Sequence, residues 1–247
     1  MGSIIRINNL SFAYKKGINI LNEVSAEFSK GRIIAFLGKN GSGKSTLLDC
    51  IIGANKFSGE IIINDKNLNE YSYKELAKVV SYIPQNLQVN FDYTVRDFVS
   101  FGLNPNLSDF KTFSQEDYDR VFNYANYCGI SDLLDCTINK ISDGERQLAF
   151  IARALTQNTK IIVMDEPTAS LDFGNQQKLL RIIKELSKNG KTILFTTHNP
   201  NHLINLDCDV YVVKDGKASK IDILTPEILR EIYEEDFEWR SGIAVFK

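Results

Sequence analysis

No stretch of this sequence is long and apolar enough to cross a bilayer as a helix. The longest apolar run, Ile33–Gly38, is six residues, against the roughly 20 that a spanning helix needs. No charged-then-apolar leader opens the chain, and Arg6 stands where an N-myristoylation signal needs Ser or Thr. Integral-membrane and secreted classes are therefore not expected. Cysteine is scarce. Cys50, Cys128, Cys136 and Cys208 form no C-x-x-C pair, which argues against a zinc ribbon or dithiol motif and fits a reducing compartment. Neither sign of charge is in excess, since 29 basic residues meet 31 acidic ones for a net charge of -2. A sequence-independent nucleic-acid binder would carry a basic surplus, so no nucleic-acid partner is expected. Histidine occurs only at His198 and His202, spaced i, i+4 with Cys208 behind them. With no fourth ligand and no H-E-x-x-H context, a zinc site is disfavoured, and His202 reads as a helix-surface residue.

What is present is an ordinary globular composition: 43% hydrophobic and 24% charged over 247 residues. A chain of this length buries enough surface to need no disulfide or metal staple. No internal repeat, low-complexity tract or Pro/Gly-rich linker divides it. Ile4–Asn8, Ile18–Phe28 and Ser58–Asn64 are β-rich, and Arg32–Leu37 is a continuous apolar run of the kind buried on both faces. About residues 86 to 141 the chain turns polar and aromatic, with a helical stretch near Gln115–Tyr127; this reads as a helical insertion in one core. From Ser142 onward a helix to Leu155, strand Lys160–Met164, helix Gln176–Leu186 and strand Thr192–Thr196 alternate. In that second helix Leu179, Leu180, Ile182, Ile183 and Leu186 make the apolar stripe. Such alternation predicts an α/β fold with a mainly parallel sheet covered on both faces. The acidic run Glu227–Glu238 reads as a solvated helix begun by Thr225 and Pro226.

Two segments carry chemistry. Gly38-Lys39-Asn40-Gly41-Ser42-Gly43-Lys44-Ser45 matches G-x-x-x-x-G-K-[ST], follows the apolar strand and, with Thr46, opens an apolar helix. Glycines let successive N–H groups face one anion, and the helix terminus adds partial positive charge. Lys44 supplies a point charge for the β- and γ-phosphates, and the Ser45 hydroxyl can ligate Mg²⁺. Further on, Ile161-Ile162-Val163-Met164 ends in Asp165 and Glu166. Ligands sit at such strand ends in open α/β sheets. Asp165 suits Mg²⁺, and Glu166 suits a general base for an attacking water.

With these segments in place, the whole chain resembles an ATP-binding cassette (ABC) ATPase. An aromatic that stacks on adenine is matched by Tyr14 in Ser11-Phe12-Ala13-Tyr14, and the family's glutamine loop by Tyr82-Ile83-Pro84-Gln85. Its signature is matched by Ile141-Ser142-Asp143-Gly144-Glu145, a loop after the acidic pair by Ser170-Leu171-Asp172, and a switch histidine by His198. The resemblance implies a P-loop NTPase core over residues 1–247, with an N-terminal antiparallel β subdomain and the inserted helical subdomain. It also implies a mechanism. Two copies pair head to tail, and each ATP lies between the phosphate loop of one and the signature of the other. Gln85 then senses Mg²⁺ and the attacking water, His198 holds the γ-phosphate, and Asp172 links the two sites.

The signature departs from the usual L-S-G-G-Q, with Asp143 for Gly and Glu145 for Gln. Ser-x-x-Glu is also a helix capping box. Asp143 would repel ATP unless it turned outward or paired, for which Arg146 is placed. Lys44 and Ser142 are 98 residues apart, too close for the coiled coils of the DNA-repair members. One cassette without a fused membrane domain resembles a separate importer ATPase. Thr94-Val95-Arg96-Asp97, Phe101-Gly102-Leu103-Asn104-Pro105, Leu171-Asp172-Phe173-Gly174-Asn175-Gln176 and His198-Asn199-Pro200-Asn201-His202 resemble the iron–siderophore, haem and cobalamin subgroup. The partners implied are a second copy, a multispanning permease at the cytoplasmic membrane face and, indirectly, an extracytoplasmic binding protein. The alternative is a soluble cassette of iron–sulfur cluster assembly.

Overall fold

The computed structural model describes residues 2–15, 17–106, 113–240 and 242–246. In chain order the strands and helices begin with β1 (Ser3–Phe12), β2 (Leu21–Ser29), β3 (Ile33–Leu37), α1 (Lys44–Ile51), β4 (Ser58–Ile63) and β5 (Lys66–Asn67). Next come α2 (Tyr73–Leu76), β6 (Val80–Ile83), α3 (Val95–Ser100), α4 (Gln115–Cys128), α5 (Asp143–Thr156) and β7 (Ile161–Met164). The chain continues with α6 (Phe173–Lys188), β8 (Thr192–Thr197), β9 (Cys208–Lys214), β10 (Lys217–Ile221), α7 (Pro226–Tyr233), β11 (Phe237–Arg240) and β12 (Ile243–Phe246). Residues 1–71 with 180–247 make one compact unit and 72–179 a second.

In the first unit the alternation of β1, with Ile5 and Ile7 buried and Arg6 and Asn8 exposed, marks a strand with one face on the core. It pairs antiparallel with β2 (Ile7 opposite Ala26) and with β4 (Ile7 opposite Ile61). A two-residue turn at Asn64 and Asp65, both with positive φ, leads from β4 into β5. Strands β3 and β8 have no exposed residue; β3 is apolar throughout, and β8 buries Thr192, Thr196 and Thr197 beside Ile193, Leu194 and Phe195. β3 lies between β8 and β9, parallel to both, and β10 closes antiparallel on β9. Phe28 of β2 meets Phe36 of β3 and Tyr211 of β9 edge-on, at 5.7 and 5.2 Å between centroids. This aromatic cluster bonds the antiparallel sheet to the parallel strands beneath the phosphate loop.

The C-terminal acidic run differs from its reading as one solvated helix. Thr225 caps α7 and Pro226 starts it, but the helix stops at Tyr233, where Glu234 turns left-handed (φ 59°). Leu229 and Ile232 are buried, so the acids mask an amphipathic face. Phe237–Arg240 then extends into β11 and pairs with β12; this hairpin carries Trp239.

The second unit places β6 parallel to β7, Val80 opposite Ile161. The described residues of region 86–141 contain α3, α4 and three 3₁₀ turns. Ser114 closes a capping box on α4, and Val121, Ala125 and Cys128 form its buried stripe. Burial pushes the Cys128 thiol up to about 12, which makes it a packing residue. On α5, Arg153 lies 5.1 Å from the Phe98 and Phe150 ring centroids and donates to the Tyr82 carbonyl at 3.4 Å. The guanidinium thereby pins α3, α5 and the end of β6 together; desolvation lowers its pKa. In α6, Leu179, Ile182, Ile183 and Leu186 are buried while Leu180 is only half-buried. Among the described residues no helix is long and apolar enough to cross a membrane.

Candidate active site

The phosphate loop owes its shape to contacts that exclude side chains. A Cβ on Gly38 would stand 2.5 Å from the Val213 carbonyl and 2.7 Å from Ser42 Oγ, so only glycine lets the loop rest on β9. Gly41 and Gly43 have φ 79° and 102°, values that L side chains rarely adopt. Gly43 is also the N-cap of α1, which has no side-chain cap and no acid in its first turn. The Lys44 amine, 4% exposed, donates to the Gly38 and Lys39 carbonyls at 2.9 and 3.0 Å. It is thus held over the loop that its charge must serve. Ser42 Oγ is buried with no partner among the described residues, a polar atom suited to a ligand oxygen. Asn40 is exposed, Ser45 half-buried and Thr46 buried. Tyr14 is 64% exposed, and its hydroxyl lies 3.3 Å from Thr46 Oγ1. An aromatic face beside the loop remains open to solvent.

His198 follows β8 and is exposed. With Lys39, Asn40, Tyr233 and Phe237 it lines a cavity of about 800 Å³, so His198 and the loop after β3 border one space. Tyr233 donates its hydroxyl to the His198 carbonyl at 2.6 Å, and Lys39 pairs with Glu234 at 3.2 Å. Both bonds tie the end of α7 to residues that line this cavity. His202 is not the helix-surface residue its spacing suggested. Pro200 starts a 3₁₀ turn there, which carries His202 inward to 7% exposure.

In the second unit Gln85 is exposed two residues past β6. Asp165 and Glu166 leave β7 buried, at 3% and 7% exposure. The Asp165 N–H continues the pairing by donating to the Ile83 carbonyl at 2.9 Å. Glu166 has φ 43°, a left-handed conformation that costs a non-glycine residue about 1 kcal/mol or more and recurs at functional sites. Asp172 caps α6, accepting from the Asn175 N–H at 2.8 Å. Gln176 donates to the Thr168 and Leu171 carbonyls and so pins the loop that presents Asp172. Its clamping role was hidden in sequence, although Asp-x-x-x-Gln at a helix start was a visible signal.

The capping box at α5 forms as expected. Ser142 Oγ accepts from the Glu145 N–H, and the Glu145 carboxylate accepts from the Ser142 N–H and hydroxyl at 2.8 Å each. The hydroxyl, then the N–H, holds the Glu145 carboxyl below its ordinary pKa. Asp143 turns outward and pairs with Arg146 at 3.0 Å. A Cβ on Gly144 would meet only ordinary contacts, with Ser170 O at 3.6 Å.

The family model described as ABC transporter matches residues 21–169. The chain belongs to the ABC transporter family. This ABC ATPase is 33% identical to the petrobactin import ATP-binding protein YclP of Bacillus subtilis, over 94% of this chain and 93% of the relative. It is equally 33% identical to a probable iron chelatin transport ATP-binding protein of Helicobacter pylori, over 98% of both chains. Among solved structures, an inward-facing conformation described as a metal-chelate type ABC transporter superposes with TM-score 0.82 at 27% identity. It covers 99% of this chain and 96% of that one. A dimeric ATP-binding cassette in a post-hydrolysis state with ADP and Pi gives TM-score 0.80 at 26% identity, over 90% and 99%. The family fold is that of a P-loop NTPase, with a mainly parallel sheet, an antiparallel sheet and a helical insert.

Proposed function

We propose that this ABC ATPase is the energy-supplying subunit of an importer for an iron chelate, haem, cobalamin or a related compound. Support comes from the printed functions of relatives that match over nearly their whole length. For the nucleotide site itself, one observation carries the reading: Lys39, Asn40 and His198 border a single cavity beside the caged Lys44. The ATP phosphates would occupy the loop Gly38–Thr46, with Lys44 neutralising β/γ charge and Tyr14 stacking on the adenine. His198 would then meet the γ-phosphate. Ser45, Gln85 and Asp165 offer the hard oxygen donors that Mg²⁺ selects, and the ion would supply charge neutralisation at the phosphates. Glu166 would take the proton of the attacking water. Ser142, Asp143, Gly144 and Glu145 would face ATP held by a second copy, and Asp172 would report across that pair. The exposed side of Asp143 need not meet the phosphates, because Arg146 already holds it outward.

In this reading two copies act with a separate multispanning permease at the cytoplasmic membrane face, served by an extracytoplasmic binding protein. Purification of the tagged chain from native membranes tests it. A permease should co-purify, and iron-chelate-loaded binding protein should raise the ATPase rate of the reconstituted complex. A chain recovered only from the soluble fraction, with cluster-assembly proteins, would overturn the importer assignment.

A further inference from the structure

The switch histidine is one exposed residue at the end of a strand, and its usefulness depends on holding one direction. Thr197 before it and Asn199, Asn201 and His202 after it are linked by hydrogen bonds. The Asn201 N–H donates to Asn199 Oδ1 at 3.0 Å, which fixes the orientation of the Asn199 amide. Its Nδ2 must therefore be the atom that donates to His202 Nε2, 3.3 Å away. An Nε2 that accepts cannot carry a proton, so in the neutral imidazole the proton is on Nδ1. That Nδ1–H points at Thr197 Oγ1, 2.9 Å distant. Thr197 Oγ1 also accepts from the Asn199 N–H at 3.0 Å, and its own hydrogen lies toward the Asn199 carbonyl at 3.4 Å. Thr197 and Asn199 are the residues on either side of His198. The imidazole of His202, buried at 7% exposure, thus ties together both flanks of the switch residue. From the side of α7, Tyr233 donates its hydroxyl to the His198 carbonyl.

We propose that His202 is a positioning residue for His198, acting as a neutral imidazole protonated on Nδ1. It acts through Thr197 and Asn199, keeping the backbone at 197–199 in the arrangement that points His198 into the cavity. The inference rests on the reading of His198 as the γ-phosphate contact. Small errors in the placement of a reacting group cost a large factor in rate, about a hundredfold for 1 Å.

The test uses steady-state Mg-ATP hydrolysis by the full chain. His202→Ala should lower kcat by about tenfold to a hundredfold, with KM for ATP within about twofold. His202→Gln should restore much of the rate, because an amide can donate to Thr197 and accept from Asn199. In a His198→Ala background, adding His202→Ala should cost nothing further. If His198→Ala hydrolyses ATP at the full rate, the switch reading itself fails. If His198→Ala is inactive but His202→Ala keeps its kcat, only the positioning role fails. Additive losses in the double variant would show that His202 supports the fold at large, and would also overturn the proposal. A readout independent of variant folding is ¹⁵N NMR of the unaltered protein, which has two imidazoles to assign. One must show the neutral Nδ1–H tautomer near pH 7.5; an Nε2–H form or an imidazolium at His202 would contradict the geometry.

Discussion

Two helix starts in this chain are built around glycine, and they treat their own ends in opposite ways. At α1 the cap is Gly43, no side chain bonds to the terminus, and no acid occupies the first turn. The positive end of the helix is left unanswered by its own residues, and a buried lysine adds to it. At α5 the cap is Ser142, with Asp143 and Glu145 in the first turn and the capping box closed. That terminus is already satisfied. In the proposed function the first start would receive an anion as it stands. The other would become an anion site only when a phosphate displaced or joined the acids that seal it, as the proposed action on nucleotide held by a second copy would require.

The largest effect should follow from removing the cation of the unsealed terminus. Lys44→Ala is expected to lower Mg-ATP turnover by about a hundredfold or more and to weaken nucleotide binding with it. Full activity would mean that the α1 start does not hold the phosphates.

The sealed terminus should fail differently. Ser142→Arg removes the cap, at about 1 kcal/mol of stability, and fills the approach with a bulky side chain. In a Glu166→Gln background, where ATP persists, light scattering should show a dimer that the added Ser142→Arg abolishes, while single-chain nucleotide binding stays intact. A dimer that survives the arginine would break the comparison.

The smallest effect sharpens it. The space around Gly144 admits a methyl group, so Gly144→Ala should leave the melting temperature unchanged or raise stability by up to about 1 kcal/mol. Turnover should nonetheless fall, because the methyl would face the incoming phosphate. Unchanged turnover would place the nucleotide away from Gly144.

The parts of the fold legible in sequence were those governed by strong local rules. The runs Ile33–Leu37 and Ile161–Met164 declared buried strands by continuous hydrophobicity, and Ser142 with Glu145 declared a cap by spacing. The pairing of Asp143 with Arg146 followed from i, i+3 geometry. The C-terminal third was less legible. β10 is Lys-Ala-Ser-Lys-Ile with no buried residue, and only its Asp215-Gly216 turn, both residues at positive φ, announced a hairpin. β11 was hidden inside an acidic run whose composition suits a helix. His202 escaped because i, i+4 spacing suggests a helix face only where a helix exists; Pro200 and the 3₁₀ turn changed the geometry. Its partners Thr197 and Asn199 flank His198 in the sequence, and nothing in their spacing announces a bond to His202.

The C-terminal hairpin has one more consequence. Asn201 exchanges two hydrogen bonds with Ala244 of β12, at 3.1 and 2.9 Å, and the opposite strand carries Trp239, the sole tryptophan of the chain and 36% exposed. The protein therefore contains its own fluorophore on the element bonded to the segment that follows His198. Emission excited at tryptophan wavelengths comes from that hairpin alone, with no label and no competing indole. A nucleotide titration followed by the wavelength and quenching of this one signal would watch the hairpin directly while ATP binds and is consumed.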